Sequence, residues 1–433
     1  MDPNRRGWVR TPEPANYSAD FRYRRDALFC ESVPLETLAK RPGTPVYVYS
    51  RATFRRAYRE LHRALRKFPH RICYAVKANS NLAVLSAFAK LGASFDIVSG
   101  GEMFRLRTVG VPGERIVFSG VGKTREEIRE ALRARILLFN VESEEELELL
   151  ASEAARAKRA APAAIRVNPD IEAGGHPHIA TGHHRHKFGI DWSEARRLYL
   201  RYKDNLWIAW RGISGHIGSQ ITSATPFRKA SARLARYFAE LRREGIALRY
   251  LDIGGGIGIR YVDEKPLRFD EYARNLPRAI ASLNCKLIVE PGRALVGNAG
   301  VLLTRVLYTK RHGAKKFVIV DAAMNDLIRP ALYGATHAIT PARRAGANTP
   351  WERVDVAGPV CESGDFFVHD WMMPQVQPGD LLAIWSAGAY GFVESSNYNS
   401  RPRAAEVMVE GARFRIIRKR ETREDLIHGE IRG

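Results

Sequence analysis

Between about residues 70 and 293 the chain alternates between short apolar runs and longer stretches with helical spacing. The first run, Ile72 to Val76, is apolar except for Tyr74 and stops on Lys77. A short, almost uninterrupted apolar run bounded by polar residues reads as a strand buried on both faces. "NLAVLSAFAKLG" follows, with apolar positions at helical spacing and Gly92 as a C-terminal stop. The same unit then recurs in kind. "SFDIVS" precedes the helix "GEMFRLRTVG", "RIVFSG" precedes "KTREEIREALRAR", and "ILLFNV" precedes "SEEELELLASEAARAK". Ser143 and Glu146 in that last helix are spaced as a capping box. "AIRVNP" leads through a long loop to "WSEARRLYLRYKD", "GISGHIGS" to "PFRKASARLARYFAELRREG", and "YLDIGGG" to "FDEYARNLPRAIASL"; "KLIVEPGR" closes the series.

Strands alternating with helices predict an α/β fold, here a (β/α)8 TIM-like barrel, with a doubly wound open sheet as the alternative. The ends of the runs favour the barrel. They carry Lys77, Asp96, Ser119, Asn140, Asn168, His216, the Gly254–Gly256 run and Glu290. In a barrel these tips converge on one mouth. After about residue 300, runs such as "VLLTRVLYTK", "KFVIVDAA", "RVDVAGPV", "DLLAIWSAGAY" and "AEVMVEGARFRIIRKR" show little helical period. They predict a mostly β C-terminal domain, a β-barrel or sandwich. The expected organisation is a polar tail over 1–27, a segment over 28–45 packing with the β domain, a barrel over 46–300 and the β domain over 301–433. "TPVYVYS" at 44–50 either joins the barrel or bridges to it, and 340–350 reads as a loop.

A length of 433 residues fits two domains better than one core. No apolar stretch is long enough for a membrane span, and the first residues lack the apolar core of a secretory signal. The four cysteines, Cys30, Cys73, Cys285 and Cys361, lack metal-ribbon spacing, which fits a reducing compartment and a cytoplasmic protein. A net charge of +22 raises the question of nucleic acid or anionic ligands, yet the basic residues are spread along helical faces, which reads as a solvated surface and not as a nucleic-acid site.

The tips carry the chemistry. A lysine alone at a strand end can simply reach solvent. If Lys77 is instead held in the mouth among other groups, its amine is a nucleophile for an aldehyde. Pyridoxal 5′-phosphate on a lysine, with an acid or base at the pyridine nitrogen and a phosphate site at the mouth, matches the remaining tips. The glycines at 254–256 would let backbone N–H groups approach a phosphate, although "GGGIG" is neither a P-loop nor a full dinucleotide fingerprint. Glu290, delivered by an apolar strand just before Pro291–Gly292, would face the ring nitrogen.

"YAVKANSN", "HKFGI", "HIGSQ", "LDIGGG", "EPGRALV", "MNDLIRPALYGA", "GPVCESGDFF" and "AGAYGF" occur in this order. Together they resemble the diaminopimelate decarboxylase family, among the fold-type III pyridoxal-phosphate decarboxylases that also include ornithine and arginine decarboxylases. The resemblance spans about residues 28 to 410. It implies a homodimer whose active sites are shared across subunits. It further implies that Lys77 forms the imine, His216 stacks on the ring, and Glu290 binds the ring nitrogen. Ser219, Gly255, Gly256 and Tyr390 would hold the phosphate with the backbone of Gly292 and Arg293. Arg293, Arg329 and Tyr333 would grip the substrate's distal carboxylate. Cys361 would return the proton and Glu362 would take the distal ammonium, both from the partner subunit. Tyr390 would also line the substrate. Asp96 is expected either to contact His216 or the cofactor, or to be a structural strand-end carboxylate.

The expected reaction is decarboxylation of meso-2,6-diaminopimelate to L-lysine and CO2. A decarboxylase for ornithine or arginine, or a racemase on the same fold, is the alternative. Paired arginines and Glu362 suit a substrate zwitterionic at both ends, which favours the first. Ser214 stands where the family carries a histidine, predicting a changed hydrogen bond behind His216. The loop 176–186 holds His176, His178, His183, His184 and His186; without cysteines or helical pairing it reads as a substrate-side loop and not as a metal site.

Overall fold

A computed structural model describes residues 13–171, 187–431 and 433. The His-rich stretch at 176–186 therefore lies outside the described residues, as does the tail up to residue 12. The chain divides into two units, one made of Arg55–Ile259 with Lys265–Leu295, the other of the residues up to Phe54, Arg260–Glu264 and Val296–Gly433.

Eight parallel strands close the first unit into a barrel. They are β1 (His70–Ala75), β2 (Ser94–Ile97), β3 (Ile116–Phe118), β4 (Leu138–Val141), β5 (Ala161–Arg166), β6 (Ile208–Ser214), β7 (Tyr250–Asp252) and β8 (Lys286–Val289). β8 pairs with β1 through Leu287↔His70, which completes the ring. The strands are buried on both faces because the interior is filled and helices cover the outside. Cys73, Val117, Leu138, Ala164 and Ile288 pack as an apolar cluster with Tyr250 against it. Strand side chains alternate, so the residue two positions further along each strand shares that inward direction one layer higher. That upper layer reads Ala75, Ser119, Asn140, Arg166, Asp252 and Glu290. The barrel thus changes from apolar to polar within one repeat of the pleat, on its C-terminal side.

The helices follow their signals with two informative differences. Ser143 caps Glu144–Arg156 by accepting from the N–H of Glu146, but Glu146 does not complete the box. Its carboxylate accepts from the Glu142 N–H and from Lys123. The reciprocal box forms instead at Thr124 and Glu127, heading Arg125–Ala134. "FDEYARNLPRAIASL" forms two short helices, Phe269–Arg274 and Ala279–Ser282, because Pro277 cannot continue the first.

The second unit is mostly β. Its nine-stranded sheet runs Phe366–Pro374, Trp351–Ala357, Lys315–Val320, Gly300–His312, Val46–Ser50, Ala405–Glu410, Arg413–Arg418, with Leu381–Ile384 and Ile339–Pro341 off that path. Val46–Ser50 is a central strand of this sheet, flanked by Gly300–Leu303 and Ala405–Val409. Both of its faces are covered, which is why "VYVYS" shows no exposed alternate positions. Gly300 sits where a Cβ would lie 2.6 Å from the Gly388 Cα, so this crossing tolerates no side chain.

Candidate active site

"YAVKANSN" is a strand end, a turn and a helix cap in eight residues. Lys77 lies in a 3-10 turn, Val76–Ala78, one step beyond β1. Tyr74 closes that turn by donating its hydroxyl to the Asn79 carbonyl at 2.9 Å. Asn79 Oδ1 accepts from the Asn81 N–H at 3.1 Å, and Asn81 caps Leu82–Lys90 through the Ala83 N–H. The polar residues after Lys77 therefore hold its backbone. Its side chain is 41% exposed and its amine donates to the buried Asp96 at 2.7 Å. The lysine is thus both open to solvent and held at the mouth by a carboxylate, and the β1–β2 register Ala75↔Asp96 brings the two together.

Three carboxyl groups meet beneath it. Asp96, Asp252 and Glu290 interact with one another; Asp96 and Asp252 are fully buried and Glu290 is half-buried. Burial, then the Asp252 and Asp96 charges, hold the Glu290 carboxyl well above the usual range, with Lys77 opposing. Burial raises Asp252 from 3.8 to about 6. Asn140 Nδ2 donates to Asp252 Oδ2 and to Ser119 Oγ, each at 3.1 Å. Ser119 reaches Glu290 Oε1 at 3.5 Å, and Ser214 reaches Asp252 Oδ2 at 3.4 Å. Ser214 thus turns toward Asp252. Asn168 joins none of these bonds; its Oδ1 accepts from the Asp170 N–H.

His216 lies beside the glycine run. Gly255 N–H donates to its Nδ1 at 3.1 Å, which places the ring proton on Nε2. Burial, then Arg166 and Lys77, push its pKa well below 6.5, so the ring is neutral. Gly254 and Gly256 have φ of +67° and +105°. A Cβ on Gly255 would sit 2.2 Å from the Glu290 carbonyl oxygen, and one on Gly256 2.2 Å from that of Gly218. Gly292 packs on Ala75 and Ala78, at the Lys77 turn. Arg293 is buried and donates to Ser219 Oγ at 3.0 Å. The barrel unit therefore brings together Lys77, Asp96, His216, Ser219, Gly255, Gly256, Glu290, Gly292 and Arg293.

The remaining candidates belong to the other unit. Arg329 is buried, its guanidinium 5.0 Å from the Tyr261 ring and 5.6 Å from that of Tyr333. Cys361 and Glu362 are exposed. Asp365 shapes their loop by accepting from the Val360 and Met324 N–H groups, Asn399 accepts from the Cys361 N–H, and Tyr398 donates to Glu362 at 3.4 Å. Tyr390 holds φ +53°, a strained setting for a residue with a side chain.

Four residues of the barrel site escaped sequence reasoning as chemistry: Asn140 in its present role, Asp252, Arg166 and Glu102. The first three could have been found by inward parity with the apolar layer. Arg166 donates to both Glu142 oxygens, at 3.0 and 3.2 Å. Glu102 accepts from the Val98 N–H at 2.8 Å, and burial lifts it to about 7 despite Lys77.

An amine at the mouth, a proton-holding carboxyl within it, a neutral imidazole and a glycine cradle fit a phosphorylated aldehyde with a basic ring nitrogen. Asp96 Oδ1 and Asn140 Oδ1 are buried there without a hydrogen-bond partner, further polar capacity at the site. Among the described residues no His, Cys, Asp or Glu cluster is placed to hold a metal. Fold and site together define a pyridoxal-phosphate enzyme of the barrel type.

The family model for the pyridoxal-dependent decarboxylase pyridoxal-binding domain matches residues 51–297. A Pseudomonas aeruginosa diaminopimelate decarboxylase is 50% identical over 410 residues, 95% of this chain and 98% of the relative. The structure of diaminopimelate decarboxylase from Helicobacter pylori complexed with L-lysine superposes with a TM-score of 0.87 at 42% identity, covering 91% of this chain and 98% of that one. The M. jannaschii diaminopimelate decarboxylase in co-complex with L-lysine gives 0.91 at 35% identity, covering 96% and 99%. The chain belongs to the diaminopimelate decarboxylase family.

Proposed function

We propose that the chain decarboxylates meso-2,6-diaminopimelate to L-lysine and CO2, the closing step of lysine biosynthesis, with pyridoxal 5′-phosphate as cofactor. We further infer a cytoplasmic homodimer whose active sites are shared across subunits. Family membership and the two relatives complexed with L-lysine, the product of this reaction, support the substrate. The observation that carries the reading is the Lys77 amine and the Glu290 carboxyl in one barrel mouth, linked through Asp96 and Asp252.

Pyridoxal phosphate, when bound, supplies an aldehyde for amine exchange and a cationic ring that accepts the electron pair left at Cα by departing CO2. Lys77 would hold the aldehyde carbon, with Asp96 orienting the amine. Glu290 would hold the proton at the ring nitrogen, and the neutral His216 ring would lie flat against the cofactor. Ser219, Gly255, Gly256, Tyr390 and the backbone of Gly292 and Arg293 are assigned to the phosphate. Gly255 N–H already donates to His216, so its share of the phosphate requires that bond to bifurcate or shift. Arg293, Arg329 and Tyr333, with Tyr390 beside them, are assigned to the substrate. A planar guanidinium takes a carboxylate through two parallel hydrogen bonds. The Cys361 thiol of a second copy would return a proton to Cα, and Glu362 of the same loop would take the distal ammonium. Their exposure on their own unit supports a role toward a second copy.

Purified protein with added pyridoxal phosphate should convert meso-diaminopimelate to lysine with one CO2 released per turnover. It should leave lysine, ornithine and arginine essentially unreacted. Preferential turnover of ornithine would overturn the assignment of Arg329 and Glu362. Racemisation without CO2 would overturn the reaction class; the relatives do not favour it.

A further inference from the structure

We propose that Asp252 and Glu290 form a one-proton pair: Asp252 is ionised, Glu290 carries the proton in the cofactor-free protein, and that proton is surrendered when a cationic ring nitrogen arrives. The inference rests on the cofactor reading above and assigns Asp252 as a positioning residue acting through Glu290.

The geometry decides which partner is ionised. Asp252 is paired with Ile288 on the neighbouring strand, and Glu290 lies two residues beyond Ile288, so both side chains point into the barrel from adjacent strands, Glu290 one step above Asp252. The two carboxyl groups act directly on one another electrostatically, each shifting the other. A buried and a half-buried carboxyl so coupled resist ionising together, and the pair titrates as a unit. Asp252 is ringed by donors: the Gly254 N–H at 2.9 Å on Oδ1, and Asn140 Nδ2 at 3.1 Å with Ser214 Oγ at 3.4 Å on Oδ2. Among the described residues Glu290 receives only the distant Ser119 hydroxyl at 3.5 Å. Three donors stabilise a carboxylate far better than one long contact. The negative charge therefore settles on Asp252 and the proton on Glu290. Among the described residues, the other charged or titratable groups facing the pair are Asp96 on β2, Lys77 after β1, Cys73 on β1, Arg166 in the same inward layer at the end of β5, and Tyr272 on Phe269–Arg274. Asp96 reinforces protonation of Glu290, and Lys77 opposes it.

The proton balance follows. A ring that arrives neutral takes the Glu290 proton onto its nitrogen, breaking the O–H bond and forming N–H, with no exchange with solvent at this site. A ring that arrives already cationic finds its counter-ion only when Glu290 releases that proton to solvent. In Asp252→Asn the amide can donate to Glu290 and the adjoining negative charge is gone; for the pair to act as proposed, these must together shift Glu290 to its ionised form against burial and Asp96, leaving no proton to give. Cofactor binding by the wild type must therefore release about one proton more, or take up about one fewer, than binding by the variant.

Calorimetric titration of the cofactor-free protein with pyridoxal 5′-phosphate, in buffers of different ionisation enthalpy, counts those protons without any turnover. The expected result is a difference of about one proton between wild type and Asp252→Asn. The difference should vanish with the 1-deaza analogue, in which C–H replaces the ring nitrogen. Infrared difference spectra of the wild type need no Asp252 variant. Adding pyridoxal phosphate should bleach a protonated-carboxyl C=O band that is missing from Glu290→Gln. Saturable binding with equal proton counts, or with no bleached band, overturns the pair while leaving the cofactor reading intact. Absence of any saturable binding by the wild type overturns both.

Discussion

Lys123 offers a test of how the rim of the barrel supports the site. Its side chain is 1% exposed, and its amine donates at 2.7 Å to the Gly120 carbonyl, the Asn140 carbonyl and Glu146 Oε1. It thereby ties the loop after β3 to the end of β4, where Asn140 reaches Asp252. Lys123→Met keeps the stem volume and removes the cation. Breaking a buried pair from one side costs about 3–5 kcal/mol, because a carboxylate and buried carbonyls lose their donor. The cost has a pH signature. Burial already raises Glu146 against the pull of Lys123, and without the lysine it rises further. A carboxyl raised in the folded state contributes stability below its unfolded pKa that is lost as pH climbs through the folded one. The destabilisation should therefore be smaller at pH 5 than at pH 8. Lys123→Met/Glu146→Gln should recover to within about 1–2 kcal/mol of wild type, since neither charge is left alone. Urea unfolding with hydrogen exchange on peptides spanning 116–141 measures this without assuming that both units unfold together. A loss under about 1 kcal/mol, or one equal at both pH values, refutes the reasoning.

Glu102→Gln should match wild type near pH 5 and exceed its stability by about 2–3 kcal/mol at pH 8.5, because Glu102, lifted from 4.5 to about 7, must otherwise ionise while largely buried; urea midpoints across that range check the sign. Lys77→Ala and Cys361→Ala should each lower kcat by at least roughly 100-fold. Mixed after co-refolding, they should regain up to about a quarter of wild-type activity, because half the dimers are hybrids with one intact shared site; no regain refutes sharing. Arg329→Lys should raise KM for diaminopimelate severalfold and narrow its preference over ornithine, since an ammonium cannot reproduce a planar fork stacked on Tyr261 and Tyr333.

The barrel was legible because its strands are buried on both faces and each ends abruptly at a polar residue. The same burial hid Asp252. Within "YLDIGGG" it looks like one polar residue in an apolar strand, and only the parity set by Tyr250 and Ile288 shows that it points inward beside Glu290. Lys77 was found by type, but not its setting: a 3-10 turn, invisible to a period-two pattern, carries it out of the strand and into the open. Pro277 divided a helix that apolar spacing alone had joined. Val46–Ser50 fell inside the bounds expected for the barrel but belongs to the sheet of the other unit, because its pairing with Gly300–Leu303 and Ala405–Val409 depends on residues far along the chain. Arg329 was marked by motif alone, and its stacking between two rings arises from contacts that no local spacing encodes.

The most direct test of the account traps the cofactor where it is held. Purified protein incubated with pyridoxal 5′-phosphate is reduced with borohydride, digested, and read by mass spectrometry. The account predicts one phosphopyridoxyl group per chain, on the peptide containing Lys77, displaced by prior addition of meso-diaminopimelate. A label on another lysine, or none on Lys77 at saturating cofactor, contradicts it.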